Sequence, residues 1–191
     1  MQKRNFIRTA AVTALAASLG MAWAQDATFK IGLLLPLTGP FASTGKQLES
    51  AARLYIAQNG DTVGGKKVQL IVKDDTGVAD VSKRLAQELV VNDKVNVLAG
   101  FGLTPLAMAS ATIATQSKTP MVVMAAATSS ITEASPYIVR SSFTVPQVVT
   151  ILADWAIKND IRKVVTLVTD YAPGVDSETW FNQRFVAQGG V

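Results

Sequence analysis

Two kinds of residue grouping in this chain could do chemistry. The first is the pair Asp74-Asp75. Adjacent carboxylates suit general acid–base work or a hard cation. Thr76-Gly77 follows at once and no third ligand stands nearby, so a turn and helix-start role is the stronger reading. The second is a set of three loops, residues 38–45, 100–104 and 125–130, rich in small and hydroxyl side chains. Such loops expose backbone N–H groups, and two of these lead straight into expected helices, whose N-termini favour anions. The chemistry on offer is therefore the holding of an anionic group rather than bond-breaking. What the sequence lacks agrees with this. It has no Cys and no His, which removes Cys and His nucleophiles, a Ser-His triad and nearly all zinc chemistry. The first expected strand runs into PLTGPFASTG, not G-x-G-x-x-G, and neither a Walker loop nor a G-x-S-x-G elbow occurs. Neither a cofactor nor a metal is expected.

These loops need a scaffold. Short apolar runs at 28–35, 67–73, 95–99 and 121–124 read as buried strands. Helical spacing is expected over 45–59, with Leu48, Ala51, Ala52, Tyr55 and Ile56 on one face. It recurs over 81–92, with Asp80 as N-cap, and over 104–117, with Pro105 in the first turn. Residues 137–143 read as extended. Residues 147–158 read as a helix burying Val148, Ile151, Leu152, Trp155 and Ala156. Another strand is expected at 163–169 (KVVTLVT), then a loop to 176 and a helix over 177–188 that stops at Gly189-Gly190. Strand, loop and helix in alternation define an α/β class: a doubly wound parallel sheet with helices on both faces, and ligands beyond the carboxyl ends of the strands. The strand at 163–169 has no partner in sequence, so a second such unit is expected to be only begun.

The N-terminus reads as a secretion signal over residues 1–24. Lys3, Arg4 and Arg8 precede a charge-free apolar stretch, and Ala22-Trp23-Ala24 sets cleavage before Gln25. The net charge of +4 owes much to this segment. Without it, 15 basic residues face 14 acidic ones, which gives little support to nucleic-acid binding. With no Cys, an exported domain must rely on core packing rather than disulfides.

The ordered set IGLLLPLTGPFASTG, VGGKKVQLIVKDD, AGFGLTP, TPMVVMAAATSSIT, YIVRSSF and KVVTLVTDYAPG resembles the type I periplasmic solute-binding proteins of the leucine/isoleucine/valine class, which feed ABC importers. The resemblance covers nearly all of residues 28–191, about the first half of a family member. It implies two doubly wound lobes with ligand between them. Residues 25–143 would be most of lobe one, lacking its returning C-terminal segment, and 144–191 the truncated start of lobe two. It implies no enzymatic activity. A monomer is expected that binds a small carboxylate ligand, in the periplasm, touching the membrane only through an ABC permease. A ligand-binding sensor domain, or a non-functional piece of a binder, is the alternative.

The same resemblance implies site residues. The carbonyl of Ala126 and the hydroxyl and N–H of Thr128 would hold a ligand carboxylate, joined by Leu103 and Thr104 of the Gly100–Thr104 turn. Family members often carry Ser where Leu103 stands, which would cost one side-chain donor. Phe41, Ser43 and Thr44 lie in the first loop. Thr44 stands where amino-acid binders commonly carry an aromatic residue, and Pro173 stands where they carry Tyr. Two missing walls suit a larger carboxylate such as an aromatic acid. Tyr171 either reaches the cleft or covers its loop. Residues near Arg140 to Phe143 would form one hinge crossing.

Overall fold

The computed structural model describes residues 28–191; the expected signal segment and expected cleavage site lie outside them. Six strands form one sheet: β1 (Thr28–Leu35), β2 (Thr62–Val63), β3 (Lys66–Asp74), β4 (Val97–Gly100), β5 (Met121–Val123) and β6 (Ile138–Arg140). Their order is β2-β3-β1-β4-β5-β6. All neighbours are parallel except the β2–β3 hairpin, whose two-residue strand follows no apolar run and escapes the sequence reading. β1 lies between β3 and β4, with Ile31 opposite both Leu70 and Val97.

A strand buried on both faces needs apolar residues at successive positions. Leu33, Leu34 and Leu35 are all within 1% of full burial. The two-residue period sends Leu34 to one face, with Leu85, Leu89, Leu98, Phe101, Met121 and Ile131. Leu33 and Leu35 go to the other, with Ala99, Val72, Leu48 and Ala52. The first face is covered by α2 (Ala79–Val91) and α3 (Thr104–Ser117), the second by α1 (Ala42–Asn59). On α1 the stripe Leu48, Ala52, Ile56 is partly buried, while Ala51 and Tyr55 are exposed. Only the i, i+4, i+8 stripe reaches the sheet.

Several helices start earlier than expected. Val78, not Asp80, is the N-cap of α2, and Asp80 lies in its first turn, where its charge still opposes the helix dipole favourably. α1 starts three residues before the expected Gly45.

Past β6 the chain crosses to α4 (Val145–Lys158) and α5 (Ala172–Val186). Gln147 reaches back to the Thr144 N–H at 2.7 Å and begins α4 with Pro146 in its first turn. The two helices meet through Ala153, Ala156 and Phe185, with Phe181 stacked on Phe185 at 5.4 Å. Asp154 pairs with Arg184 at 2.7 and 3.0 Å and accepts from Gln188 at 2.6 Å.

The expected strand at 163–169 forms no ladder among the described residues. Only a single pairing is present: Val164 N–H donates to Val191 C=O at 3.1 Å, and Val191 N–H to Arg162 C=O at 2.8 Å. The strand-like alternation survives nonetheless. Val164, Thr166 and Val168 are partly buried, while Val165 and Leu167 are 96% and 98% exposed. Backbone of this kind becomes a strand only beside a neighbour that takes its N–H and C=O groups. For the same reason the expected inner face of α4 is mostly outside: Val148, Ile151, Leu152 and Trp155 are each more than half exposed. Among the described residues no helix is long and apolar enough to cross a membrane.

Candidate functional site

The loops leaving β1, β3, β4 and β5 gather at the carboxyl edge of the sheet, and specific contacts tie them together. Asp74, the last residue of β3, is the first tie. Its carboxylate accepts from Leu37 N–H and Thr76 N–H, both at 2.8 Å, and from the Thr38 hydroxyl at 2.6 Å. Burial alone would raise this carboxyl. The Thr38 hydroxyl and the N–H groups of Thr76, Leu37 and Thr38 outweigh it and hold Asp74 below the usual carboxylate range. Asp75 is fully buried and accepts from Gly77 N–H at 3.0 Å. Burial pushes its carboxyl up, and the neighbouring Asp74 charge adds to that, against the pull of Gly77 N–H and Ser82. The pair thus builds the turns that follow β3. Among the described residues no group of three or more acidic side chains is close enough to hold a metal ion.

The turn after β4 is the second tie. Gly100 has φ +113° and a side chain there would run into the Leu34 carbonyl. Phe101 follows at φ +62°, a left-handed conformation that costs a non-glycine residue about 1–2 kcal/mol. Its fully buried ring and its N–H bond to Leu34 C=O at 2.9 Å hold it there. The next loop is sewn to this turn by Met124 N–H to Gly100 C=O at 2.7 Å and Ala126 N–H to Phe101 C=O at 3.1 Å.

This double left-handed step delivers the chain to the start of α3. Leu103 is the N-cap and Thr104 the first helical residue, with no side chain capping the end. The Thr104 hydroxyl instead meets the Thr128 hydroxyl at 2.7 Å, and the two residues are 3% and 4% exposed. Neither Thr caps its own helix. Each hydroxyl keeps spare hydrogen-bonding capacity beside the uncapped α3 N-terminus.

The other expected site residues fall as follows. Ala126 is buried in the same loop. Phe41, 43% exposed, and Leu103 converge over Gly77: a Cβ placed there would lie 3.5 Å from one and 4.0 Å from the other. Thr44 borders Gly102, its Cγ2 at 4.0 Å from a Cβ built there. Phe41, Thr44, Leu103, Thr104, Ala126 and Thr128 thus belong to one cluster of adjoining loops. Tyr171 is the N-cap of α5 and 42% exposed. Phe143, 59% exposed, lies in the crossing to α4. Neither shares a hydrogen bond with the threonine pair among the described residues.

Arg140, expected only as a crossing residue, ends β6 and donates from Nη2 to Thr128 C=O at 2.7 Å. Sequence reasoning gave no role to Asp176 of α5, which accepts from Ser129 N–H at 2.8 Å and from the Ser129 hydroxyl at 2.7 Å. A largely apolar groove of ≈ 350 Å³ is elsewhere, lined by Leu152, Trp155, Val165, Leu167 and Phe181.

A parallel sheet with hydroxyls and a helix start gathered at its carboxyl edge is the frame of a ligand-binding α/β protein. The chain belongs to the periplasmic binding protein family, whose model matches residues 28–191. A periplasmic location goes with that family. A Leu/Ile/Val-binding protein homologue from Brucella abortus is 45% identical over 182 residues, covering 94% of this chain and 47% of the relative. Two solved structures are similar, both solute-binding proteins of ABC transporters from Rhodopseudomonas palustris. One, in complex with 3,4-dihydroxybenzoic acid, is 61% identical with a TM-score of 0.84, over 86% of this chain and 46% of that one. The other, in complex with 4-hydroxybenzoate, is 44% identical with a TM-score of 0.82, over 85% and 45%. The chain spans about half the length of the relatives it matches. The family and these neighbours are binders of solutes rather than enzymes.

Proposed function

We propose that this chain carries the carboxylate-holding part of a periplasmic solute-binding protein that delivers an aromatic acid to an ABC importer. The observation that carries the reading is the buried Thr104–Thr128 hydroxyl pair beside the uncapped start of α3. Hydroxyls and N–H groups fixed before the ligand arrives bind a carboxylate without a reorganisation cost. The Ala126 carbonyl and the Leu103 backbone complete this end of the site. Phe41, Leu103, Thr44 and Tyr171 form its walls.

In this reading residues 25–143 are one lobe, and 144–191 begin a second that closes over the ligand about a crossing at Arg140 to Phe143. The leader is cleaved before Gln25. The apolar groove beside residues 164–168 is a floor for further strands of the second lobe. An aromatic acid is favoured over leucine because Thr44 and Pro173 leave room at two walls. The two Rhodopseudomonas neighbours, bound to hydroxylated benzoates, support the same choice.

Titration calorimetry on the full-length protein with 3,4-dihydroxybenzoate, 4-hydroxybenzoate, benzoate and leucine tests it. Binding of the benzoates at least tenfold tighter than leucine is expected. Tight leucine binding with no response to the aromatic acids would overturn the ligand assignment. Mass spectrometry of exported protein checks the cleavage position.

A further inference from the structure

The peptide unit between Thr128 and Ser129 is gripped at both ends by opposite charges. Its C=O accepts from Arg140 Nη2 at 2.7 Å. Its N–H donates to Asp176 Oδ2 at 2.8 Å, and the other oxygen of the same carboxylate takes the Ser129 hydroxyl at 2.7 Å. The cation is at the negative end of the peptide dipole and the anion at the positive end, so each grip strengthens the other. Hydrogen bonds to charged groups are the stronger kind, and both contacts are short.

The two grips come from different parts of the fold. Arg140 ends β6, within the sheet that also holds the Thr128 loop. Asp176 lies on α5, past the crossing, 47 residues from Ser129. Past Ser141, whose N–H is held by Val123 C=O at 3.0 Å, residues 142–144 join the sheet to α4 outside any helix or strand, so α4 and α5 can turn there while the sheet stays whole. A swing of α5 away from the sheet would therefore break both Asp176 contacts and leave the Arg140 contact whole.

We infer that Asp176 is a positioning residue and a latch: it fixes the 128–129 peptide, and with it the Thr128 hydroxyl, only while α5 lies against the sheet. The site is thereby coupled to closure through a protein–protein contact as well as through ligand. A latch that forms without ligand raises the closed fraction of the free protein. It also raises apparent affinity by the same factor, because only the competent fraction binds. The inference rests on Thr128 being a ligand-holding residue.

The test uses the full-length protein in two measurements. In the first, spin labels on Lys46→Cys and Asn182→Cys report the distance between α1 and α5 without ligand. Asp176→Ala should shift the ratio of short to long distances roughly tenfold toward long. Asp176→Asn, which keeps an acceptor for Ser129 N–H, should restore most of the short population. In the second, 4-hydroxybenzoate binding by calorimetry should weaken about tenfold in Asp176→Ala and recover in Asp176→Asn. Ser129→Ala, which loses only the hydroxyl, should give a smaller loss that does not add to that of Asp176→Ala. An unchanged distance distribution in Asp176→Ala would overturn the latch, as would wild-type affinity in that variant. Should the wild-type protein bind none of the acids, the ligand reading fails, and the ligand-free distances alone still decide the latch.

Discussion

Replacing Thr104 and Thr128 with valine, singly and together, separates structural support from ligand binding at one pair of hydroxyls. Valine keeps the branched shape of threonine and puts a methyl group in place of the hydroxyl. The two oxygens are 2.7 Å apart and both residues are almost fully buried. Either single change leaves the other hydroxyl buried without its partner, at a cost of about 1–3 kcal/mol in stability. The double change removes both polar partners, and the two methyl groups that replace oxygens 2.7 Å apart need only part by about 1 Å to reach ordinary contact, so the double can approach neutral. Stability should therefore fall in each single variant and recover in the double, a coupling of about 2 kcal/mol or more. Affinity should behave differently. A hydrogen bond from a hydroxyl to a carboxylate is of the charged kind, about 1.5–3 kcal/mol, or roughly 10- to 150-fold in Kd. Thr128→Val should lose that much for 4-hydroxybenzoate, and the double variant should lose at least as much although its stability has returned. Urea unfolding gives the first quantity and titration calorimetry the second, on the same full-length preparations. A double variant that regains both stability and affinity would refute the reasoning, because the pair would then serve packing alone.

Three further outcomes follow from the geometry. Gly100→Ala forces a Cβ into the Leu34 carbonyl at a φ of +113°, so a loss of about 3 kcal/mol or more is expected in urea unfolding; less than 1 kcal/mol would contradict the close approach. Asp74 and Asp75 should pull the stability–pH curve in opposite directions. The Asp74 carboxyl is depressed, so its contribution is whole above its ordinary value of 3.8 and fades as pH falls through its lower folded value. The Asp75 carboxyl is raised, so its contribution is whole below 3.8 and is lost as pH rises through its higher folded value. Asp74→Asn should flatten the acid-side fall, and Asp75→Asn should remove a gain seen on mild acidification; identical slopes in both variants would contradict the assignments. Finally, residues 25–191 expressed alone should self-associate and bind anilinonaphthalene sulfonate through Trp155, Val165 and Leu167, and Val165→Lys with Leu167→Lys should reduce both. A monodisperse, dye-silent piece would count against this.

The sheet was readable from sequence because its strands carry their own evidence. Three consecutive leucines before Pro36 can only be buried on two faces, and the hydroxyl-rich loops after β1, β4 and β5 lie where a parallel sheet puts ligands. What failed to read was whatever depends on a partner. Spacing marked the apolar stripe of α4, yet it says nothing of what covers that stripe, and of its residues only Ala156 is buried, meeting α5 together with Ala153. The stretch 163–169 has a strand's alternation and lacks a strand's neighbour. Residues 172–176 looked like a loop because of Pro173-Gly174. Pro fits the first turn of a helix, however, and Gly174 is needed where α5 packs on the Thr169 carbonyl.

The candidate site divides along the same line. Thr104 and Thr128 were legible as hydroxyl residues at the carboxyl edge of the sheet, while their mutual hydrogen bond spans 24 residues and two elements. Arg140 read as part of a crossing through the family resemblance, and nothing local marks its reach to the Thr128 carbonyl. Asp176 was silent for a stronger reason. An acid early in a helix is already explained by the macrodipole, so sequence alone assigns it no further duty. Its two short bonds to Ser129 supply one, and they tie the loop proposed to hold a carboxylate to the position of α5. On the proposed reading, specificity and closure are not separable properties of this fold. A substitution on α5 that never touches ligand can alter affinity through the 128–129 peptide, and a ligand that orders this peptide must by the same linkage draw α5 toward the sheet.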